Sequence, residues 1–359
     1  METYPQIRPA IRFWLLAGVV MVFLQVVVGG VTRLTDSGLS ITEWEIIQGT
    51  LPPLNQAQWQ EAFDAYKVAA RKQFETLHAD MTLQEFKVIY FWEYIHRLWA
   101  RLMGVVFIVP FLYFWAKKWI PRWLMGRLGV VIFLAAMAAT FGWIMVDSGL
   151  NDDKRTWVNA YNLIIHLIIA TALLGALFWT WLLSLGRPPA QPQGERIRRW
   201  GWWLTGLLVL QIALGGLMAG MRAGLIHPHF PFFIQGEAFL NALSMKESAN
   251  LGNWIDYEPS MAVKAWVQVA HRAAAFLFSA LVIVFLVLLR KWNPRPDLSK
   301  AGIILLAAAS LQFLLGALTI INCLGRVPVL YGVLHQAGAL LLLCSLLYVV
   351  FVAGSRARV

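Results

Sequence analysis

The sequence predicts an all-α integral membrane protein of eight transmembrane helices, built as two related four-helix bundles in parallel orientation. Composition is the first reason. The 359-residue chain is 59% hydrophobic and only 14% charged, with a mean hydropathy of +0.62. A soluble domain is roughly 45–50% apolar and about 25% charged, so this chain has too little polar surface to wrap one aqueous core. The second reason is a set of apolar runs near 12–31, 89–115, 127–147, 158–185, 200–220, 264–290, 301–322 and 328–353. Each is about as long as, or longer than, the roughly 20 residues a span requires. The third is an internal repeat that pairs the first four runs with the last four.

The first run, Ile11 to Val31, has neither the short apolar core and cleavage site of a secretory leader nor an Arg/Ser-rich transit stretch before it. It reads as a retained first span, as in a bacterial inner-membrane protein. In the loop 32–88, Asn55-Gln-Ala-Gln58 begins an amphipathic helix with Trp59, Phe63, Tyr66 and Ala70 on one face. Thr82-Leu-Gln-Glu85 is a capping box that starts the helix leading into the second span. Loop 221–263 carries Phe230-Pro-Phe-Phe233, expected against the membrane surface. Enlarged loops on one face place the chemistry on that side.

The repeat sets the domain boundaries. Gln25, Gly29 and Gly30 match Gln211, Gly215 and Gly216 at an offset of 186. His96-Arg97 matches His271-Arg272 at 175, Gly142 matches Gly316 at 174, and His166 matches His335 at 169. Four spans per unit give both units one orientation, related by a pseudo-twofold axis along the membrane normal. An N-terminal bundle covers 1–186 and a C-terminal bundle 200–359. A cytoplasmic linker, 187–199, lies in the Pro- and Gly-rich stretch Gly186-Arg-Pro-Pro-Ala-Gln-Pro-Gln-Gly194.

The formal charge of +11 is a topology signal and not a nucleic-acid footprint. With the N-terminus inside, the short inner segments hold Arg8, Arg12, Lys117, Lys118, Arg122, Arg127, Arg196, Arg198, Arg199, Arg290 and Lys291, among others. Loop 32–88 has five basic residues against eight acids. This positive-inside pattern puts both termini in the cytoplasm. Two cysteines are too few for a disulfide framework. Cys323 falls at the outer end of the seventh span and Cys344 about 20 Å deeper, so both are expected as free thiols.

Ionisable groups inside a membrane are costly and point to function. Four of the seven histidines lie within spans: His96, His166, His271 and His335. Each is six to eight residues inside the outer end of its span, so all share one depth. One histidine from each of two helices at matched depth is a geometry for bis-imidazole ligation of haem iron in a bundle. The competing reading is four locally packed imidazoles. Arg97, Arg101 and Arg272 lie beside them and can pair with haem propionates, or snorkel to lipid phosphates. Gly29, Gly30, Gly104, Gly142, Gly215, Gly216, Gly316 and Gly338 fit close helix packing or room for a flat ring, and helix packing alone suffices for most of them. His78, His227 and His229 are expected to be solvated loop residues. Glu93 lies one turn outward of His96, whereas its counterpart is Gln268. That asymmetry points to one reactive site and one supporting haem.

Several stretches resemble the haem A synthase family across essentially the whole chain. They are Gly29-Gly-Val-Thr-Arg-Leu-Thr-Asp-Ser-Gly-Leu-Ser40 with Trp44 and Pro52-Pro53, Met81-Thr-Leu-Gln-Glu-Phe-Lys87, Glu93-Tyr-Ile-His-Arg97, Asp147-Ser-Gly-Leu150, His271-Arg272 and His335-Gln336. The first two are similar to the mitochondrial and alphaproteobacterial branch, which lacks an outer-loop cysteine pair. The resemblance implies that His96 and His166 are the axial ligands of substrate haem O, and that His271 and His335 hold a haem b cofactor. It implies Glu93 as the catalytic acid, and oxidation of the C8 methyl of haem O to a formyl group through a hydroxymethyl stage. Haem O synthase (the protohaem farnesyltransferase), cytochrome oxidase assembly factors and an electron donor are the partners implied; a homo-oligomer stays open. The alternative reading is a di-haem b electron carrier or quinol oxidoreductase with no substrate chemistry.

Overall fold

In the computed structural model, residues 7–43, 50–150, 152, 155–186, 193–232, 234–244, 254–292 and 295–354 are described. Among them the helices run in chain order as α1 (Pro9–Leu34), α2 (Gln56–Ala69), α3 (Arg71–Leu77), α4 (Leu83–Ala116), α5 (Arg122–Asp147), α6 (Ala160–Ser184), α7 (Gly194–Gly220), α8 (Glu237–Leu243), α9 (Met261–Trp292), α10 (Pro296–Ile321) and α11 (Val329–Val352). All but α2, α3 and α8 are long and apolar enough to cross a membrane, which gives the eight spans expected. Trp44, Phe233, Arg356, Arg358 and linker residues 187–192 lie outside the described residues.

Local chemistry explains the helix ends. Asn55 caps α2 by accepting from the Gln58 N–H at 2.9 Å. At α4 the capping box is complete: Thr82 Oγ1 accepts from the Glu85 N–H, and Glu85 Oε2 accepts from the Thr82 N–H at 2.8 Å. Pro110 sits inside α4 and has no N–H to give the Val106 carbonyl one turn earlier. The Trp14 indole of α1 donates to that carbonyl instead, at 3.1 Å. A freed backbone acceptor in a membrane must find such a partner.

Helices α1, α6, α7 and α11 form the centre of the bundle. Around them α4 lies along α1, α5 along α6, α9 along α7 and α10 along α11. Small residues allow the central helices to approach. A Cβ added at Gly220 would stand 2.7 Å from Ala160 Cβ and 3.0 Å from its Cα, and one at Gly201 would meet Val350 Cγ2.

One end of the bundle carries the loops. The apolar face expected of α2 is buried there: Phe63, Tyr66 and Ala70 pack with Phe86 and Ile89 of α4, and Phe63 stacks on Phe86 at 4.9 Å. His78 departs from the solvated expectation. It is half-buried, with Nδ1 2.6 Å from the Tyr66 hydroxyl, and burial lowers its pKa. Tyr257 ties the loop before α9 to the start of α6. Its hydroxyl accepts from the Ala160 N–H at 2.8 Å and from Arg155 at 3.1 Å.

Two contacts join positions that the repeat makes equivalent. Arg33 donates to the Ala219 carbonyl at 3.1 Å, and Arg222 lies 3.7 Å from Asp36; both pairs differ by 186. Arg33 and Arg222 both stack on the buried ring of Trp157, at 4.4 and 3.1 Å. Burial raises the Asp36 pKa against the pull of Arg222 and Arg33, and lowers that of Arg222 to about 10. Cys323 and Cys344 are free, as expected.

Gly220→Ala is expected to destabilise the bundle by about 1–3 kcal/mol, because the new methyl meets helix backbone as well as a side chain. Thermal unfolding in detergent measures it; an unchanged midpoint would show that α6 and α7 separate at little cost.

Candidate functional site

The four intramembrane histidines sit toward the loop-bearing end, and each ring lies against a glycine of a neighbouring helix. A Cβ at Gly29 of α1 would be 3.0 Å from His96 Nε2 of α4. One at Gly142 of α5 would be 3.0 Å from His166 Cε1 of α6. The corresponding distances are 3.2 Å from Gly215 of α7 to His271 Cε1 of α9, and 2.8 Å from Gly316 of α10 to His335 Cε1 of α11. The other four glycines singled out from the sequence meet no histidine: Gly30 lies against Gln336, Gly216 against Ile164 and Gly338 against Gln312, and a Cβ at Gly104 would meet nothing within 4 Å.

Two of the rings, those of His166 and His271, also have a polar neighbour one helical turn from their glycine. His166 Nδ1 is 2.9 Å from the Ala138 carbonyl. A carbonyl only accepts, so Nδ1 carries the proton and Nε2 keeps a lone pair. The Gln211 side-chain nitrogen lies 3.1 Å from His271 Nδ1 and donates to the His271 carbonyl at 2.9 Å. Gln25 makes the matching bond to the His96 carbonyl at 3.1 Å.

His271 and His335 have ring centres 6.4 Å apart, with planes at 88°. A metal bonded at about 2.0 Å to each of two imidazoles puts their ring centres roughly 6.4 Å apart. This pair therefore has the spacing to receive one iron. All four histidines open on one continuous cavity of about 1070 Å³, which Glu93, Arg97, Arg101 and Arg272 also line. That exceeds the roughly 300–1,000 Å³ of an ordinary ligand pocket. Among the described residues no cluster of three or more His, Cys, Asp or Glu has the grouping of another metal site.

Glu93 is buried and fully engaged. Its Oε2 accepts from Ser40 Oγ at 2.8 Å and from the Ile41 N–H at 2.9 Å. Its Oε1 accepts from Arg97 at 2.6 and 3.1 Å. Arg97 also donates to the Ile41 and Glu43 carbonyls, both at 2.8 Å. In the other half, Gln268 donates to the His227 carbonyl at 2.8 Å and Arg272 to the His229 carbonyl at 2.5 Å. Both pairs grip the loop that follows the first helix of their half. One loop offers N–H and O–H donors and the other offers a carbonyl. The Glu/Gln difference thus has a structural reason that spacing did not reveal.

His227 corrects another expectation. It is only 4% exposed, its ring stacked on Phe239 of α8 at 4.6 Å, whereas His229 is exposed as expected. Burial and the neighbouring His229 lower the His227 pKa. Sequence reasoning also missed the contact between the two Asp-Ser-Gly-Leu stretches: a Cβ at Gly149 would lie 2.9 Å from Leu39 Cδ2. The duplicated tetrapeptide was the available signal.

Residues 12–347 match the COX15-CtaA family, described as cytochrome oxidase assembly protein. The chain is similar to a heme A synthase of Flavobacterium psychrophilum, 36% identical over 340 residues, covering 94% of this chain and 96% of the relative. It is 38% identical over 350 residues to a heme A synthase of Nitrosospira multiformis, covering 96% and 93%. It is 37% identical over 336 residues to one of Caulobacter vibrioides, covering 94% and 93%. The chain belongs to this family.

The glycine contacts make a prediction. Alanine at Gly316 or Gly142 pushes an imidazole off its seat and is expected to weaken haem binding and broaden the low-spin absorption bands of purified protein. Alanine at Gly206, where the added methyl meets nothing within 4 Å, is the matched control and should leave the spectrum unchanged. Equal effects at all three positions would detach the glycines from the histidines.

Proposed function

From this membership, we infer that the protein is an oxidoreductase that converts haem O to haem A within a membrane. What carries the reading is the set of four histidines, each seated on a glycine and opening on one shared cavity. We assign His96 and His166, in the bundle of residues 1–186, to substrate haem O. We assign His271 and His335, in the bundle of residues 200–359, to haem b. The ring spacing of the second pair and the fixed Nδ1 of His166 support ligation through the free nitrogens. Haem b would supply one-electron transfer to and from the neighbouring site.

The chain's own residues have separable tasks. The glycines orient the four rings, helped by the groups near Nδ1 of His166 and His271. Arg97 and Arg272 hold the loops that close the cavity's polar end. Arg101 lines the cavity one turn from Arg97 and is placed to meet a substrate propionate. Glu93, one turn from His96 and held by Ser40, Ile41 and Arg97, places a carboxylate whose charge would stabilise the substrate as its methyl passes through hydroxymethyl to formyl. The pseudo-twofold relation between halves is supported by the Arg33–Ala219 and Asp36–Arg222 contacts. The basic residues at the end opposite the loops support cytoplasmic termini in a bacterial inner membrane. The family's assembly role favours haem O synthase and oxidase assembly factors as partners.

Two experiments separate this reading from an electron carrier. His271→Ala or His335→Ala is expected to strip haem b and abolish activity, while His96→Ala or His166→Ala keeps haem b and impairs haem O handling; haem extraction and chromatography measure both. The opposite pattern reverses the assignment.

Glu93→Gln is expected to keep the haem b spectrum but lower haem A formation by about a hundred- to ten-thousand-fold, the usual range for a lost acid–base group. Ser40→Ala, which removes a hydrogen bond and leaves the carboxylate charged, should cost far less. Equal losses would reduce Glu93 to holding its loop.

A further inference from the structure

The two halves differ in how their outer helices meet. In the C-terminal half α9 packs along α10, and the seam is filled by aromatic rings. Phe276 of α9 lies 5.4 Å from Phe313 of α10, edge to face. Phe230, from the loop after α7, lies 6.5 Å from Phe276 and 6.1 Å from Phe313. All three rings line the cavity wall, so they stand between the site of His271 and His335 and the lipid.

The N-terminal half lacks this closure among the described residues. Helix α4 lies along α1 and α5 along α6, but α4 and α5 pack on each other far less closely than α9 and α10 do. Through the repeat offsets of 175 and 174, the positions of Phe276 and Phe313 become Arg101 and Ala139. An arginine and a methyl cannot form an apolar clasp. Ala139 is exposed, and Trp143, one turn further along α5, is 47% exposed, although both line the cavity. A Cβ at Gly104 of α4, another lining residue, would meet nothing within 4 Å.

We propose that the cavity around His96 and His166 opens sideways into the bilayer between α4 and α5 as the route for substrate, while the Phe276–Phe313 clasp closes the equivalent route and retains the permanent haem. The proposal rests on the function assigned above. The ligand class follows from the opening: a flat macrocycle with acidic substituents and a long isoprenoid chain. Haem O, which carries a farnesyl-derived tail, is dissolved in the membrane and pays most when drawn through water. An apolar mouth at Ala139 suits the tail, and Arg101 on the facing helix suits the carboxylates. A cofactor that must stay through many turnovers needs the opposite wall. One fold thus supplies an open bundle and a shut one by exchanging two side chains.

The test uses the whole protein, loaded with haem b and reconstituted in vesicles, with haem O delivered from donor vesicles. Treating Ala139→Cys with a bulky membrane-permeant maleimide should slow its haem O uptake at least tenfold relative to the untreated variant and leave the haem b spectrum intact. The untreated variant checks folding, and treated wild type checks the native thiols. In the reciprocal arm, Phe276→Ala and Phe313→Ala should release haem b to apomyoglobin at least tenfold faster than wild type. Unslowed uptake after modification, or unchanged haem b release, overturns the proposal. Wild-type vesicles that take up no haem O at all would overturn the substrate assignment itself, and the route with it.

Discussion

A flat ring can press closest against a helix where that helix has no Cβ, and this sets the position of the four histidines. Each of the four imidazoles rests on a glycine at a distance a methyl group could not share without displacement. The histidine fixes where a metal can bind, and the glycine fixes where the histidine can be. Since the glycine belongs to a different helix, helix packing and ligand geometry are one problem. A shift of α1 against α4, or of α10 against α11, would move an imidazole by the same amount.

The second requirement comes from the solvent. In hydrocarbon a polar group must be satisfied within the protein, and Glu93, Arg97, Gln268 and Arg272 find partners by gripping loops. Glu93 and Arg97 hold residues 40–43, and Gln268 and Arg272 hold 227–229. The loops are thereby drawn down onto the ends of the histidine helices, so the polar end of the cavity is closed from above while its wall remains apolar. Two of the guanidiniums that a sequence reading offers to propionates, Arg97 and Arg272, donate to backbone carbonyls of these loops.

Much of this was legible because membrane helices obey few rules. The eight spans followed from hydropathy, the cap of α4 from Thr82 and Glu85, and the buried face of α2 from the spacing of Phe63, Tyr66 and Ala70. The repeat offsets located the four histidines and, without distinguishing them from packing residues, their glycines. What stayed illegible depends on contacts distant in sequence. Nothing near His227 announces that Phe239 will cover its ring, nor anything near His78 that Tyr66 will reach it. The Glu93/Gln268 difference looked purely chemical until the loop partners appeared, one set donating and the other accepting.

The contacts Arg33–Ala219 and Asp36–Arg222 join residues separated by the sequence offset of 186. With one residue type at both positions, Asp36 would meet another aspartate, or Arg222 another arginine, with both charges half-buried and repelling. An acid facing a base removes that repulsion, so left and right are not interchangeable at this seam. A copy of either stretch set in the place of the other would lose the pairing.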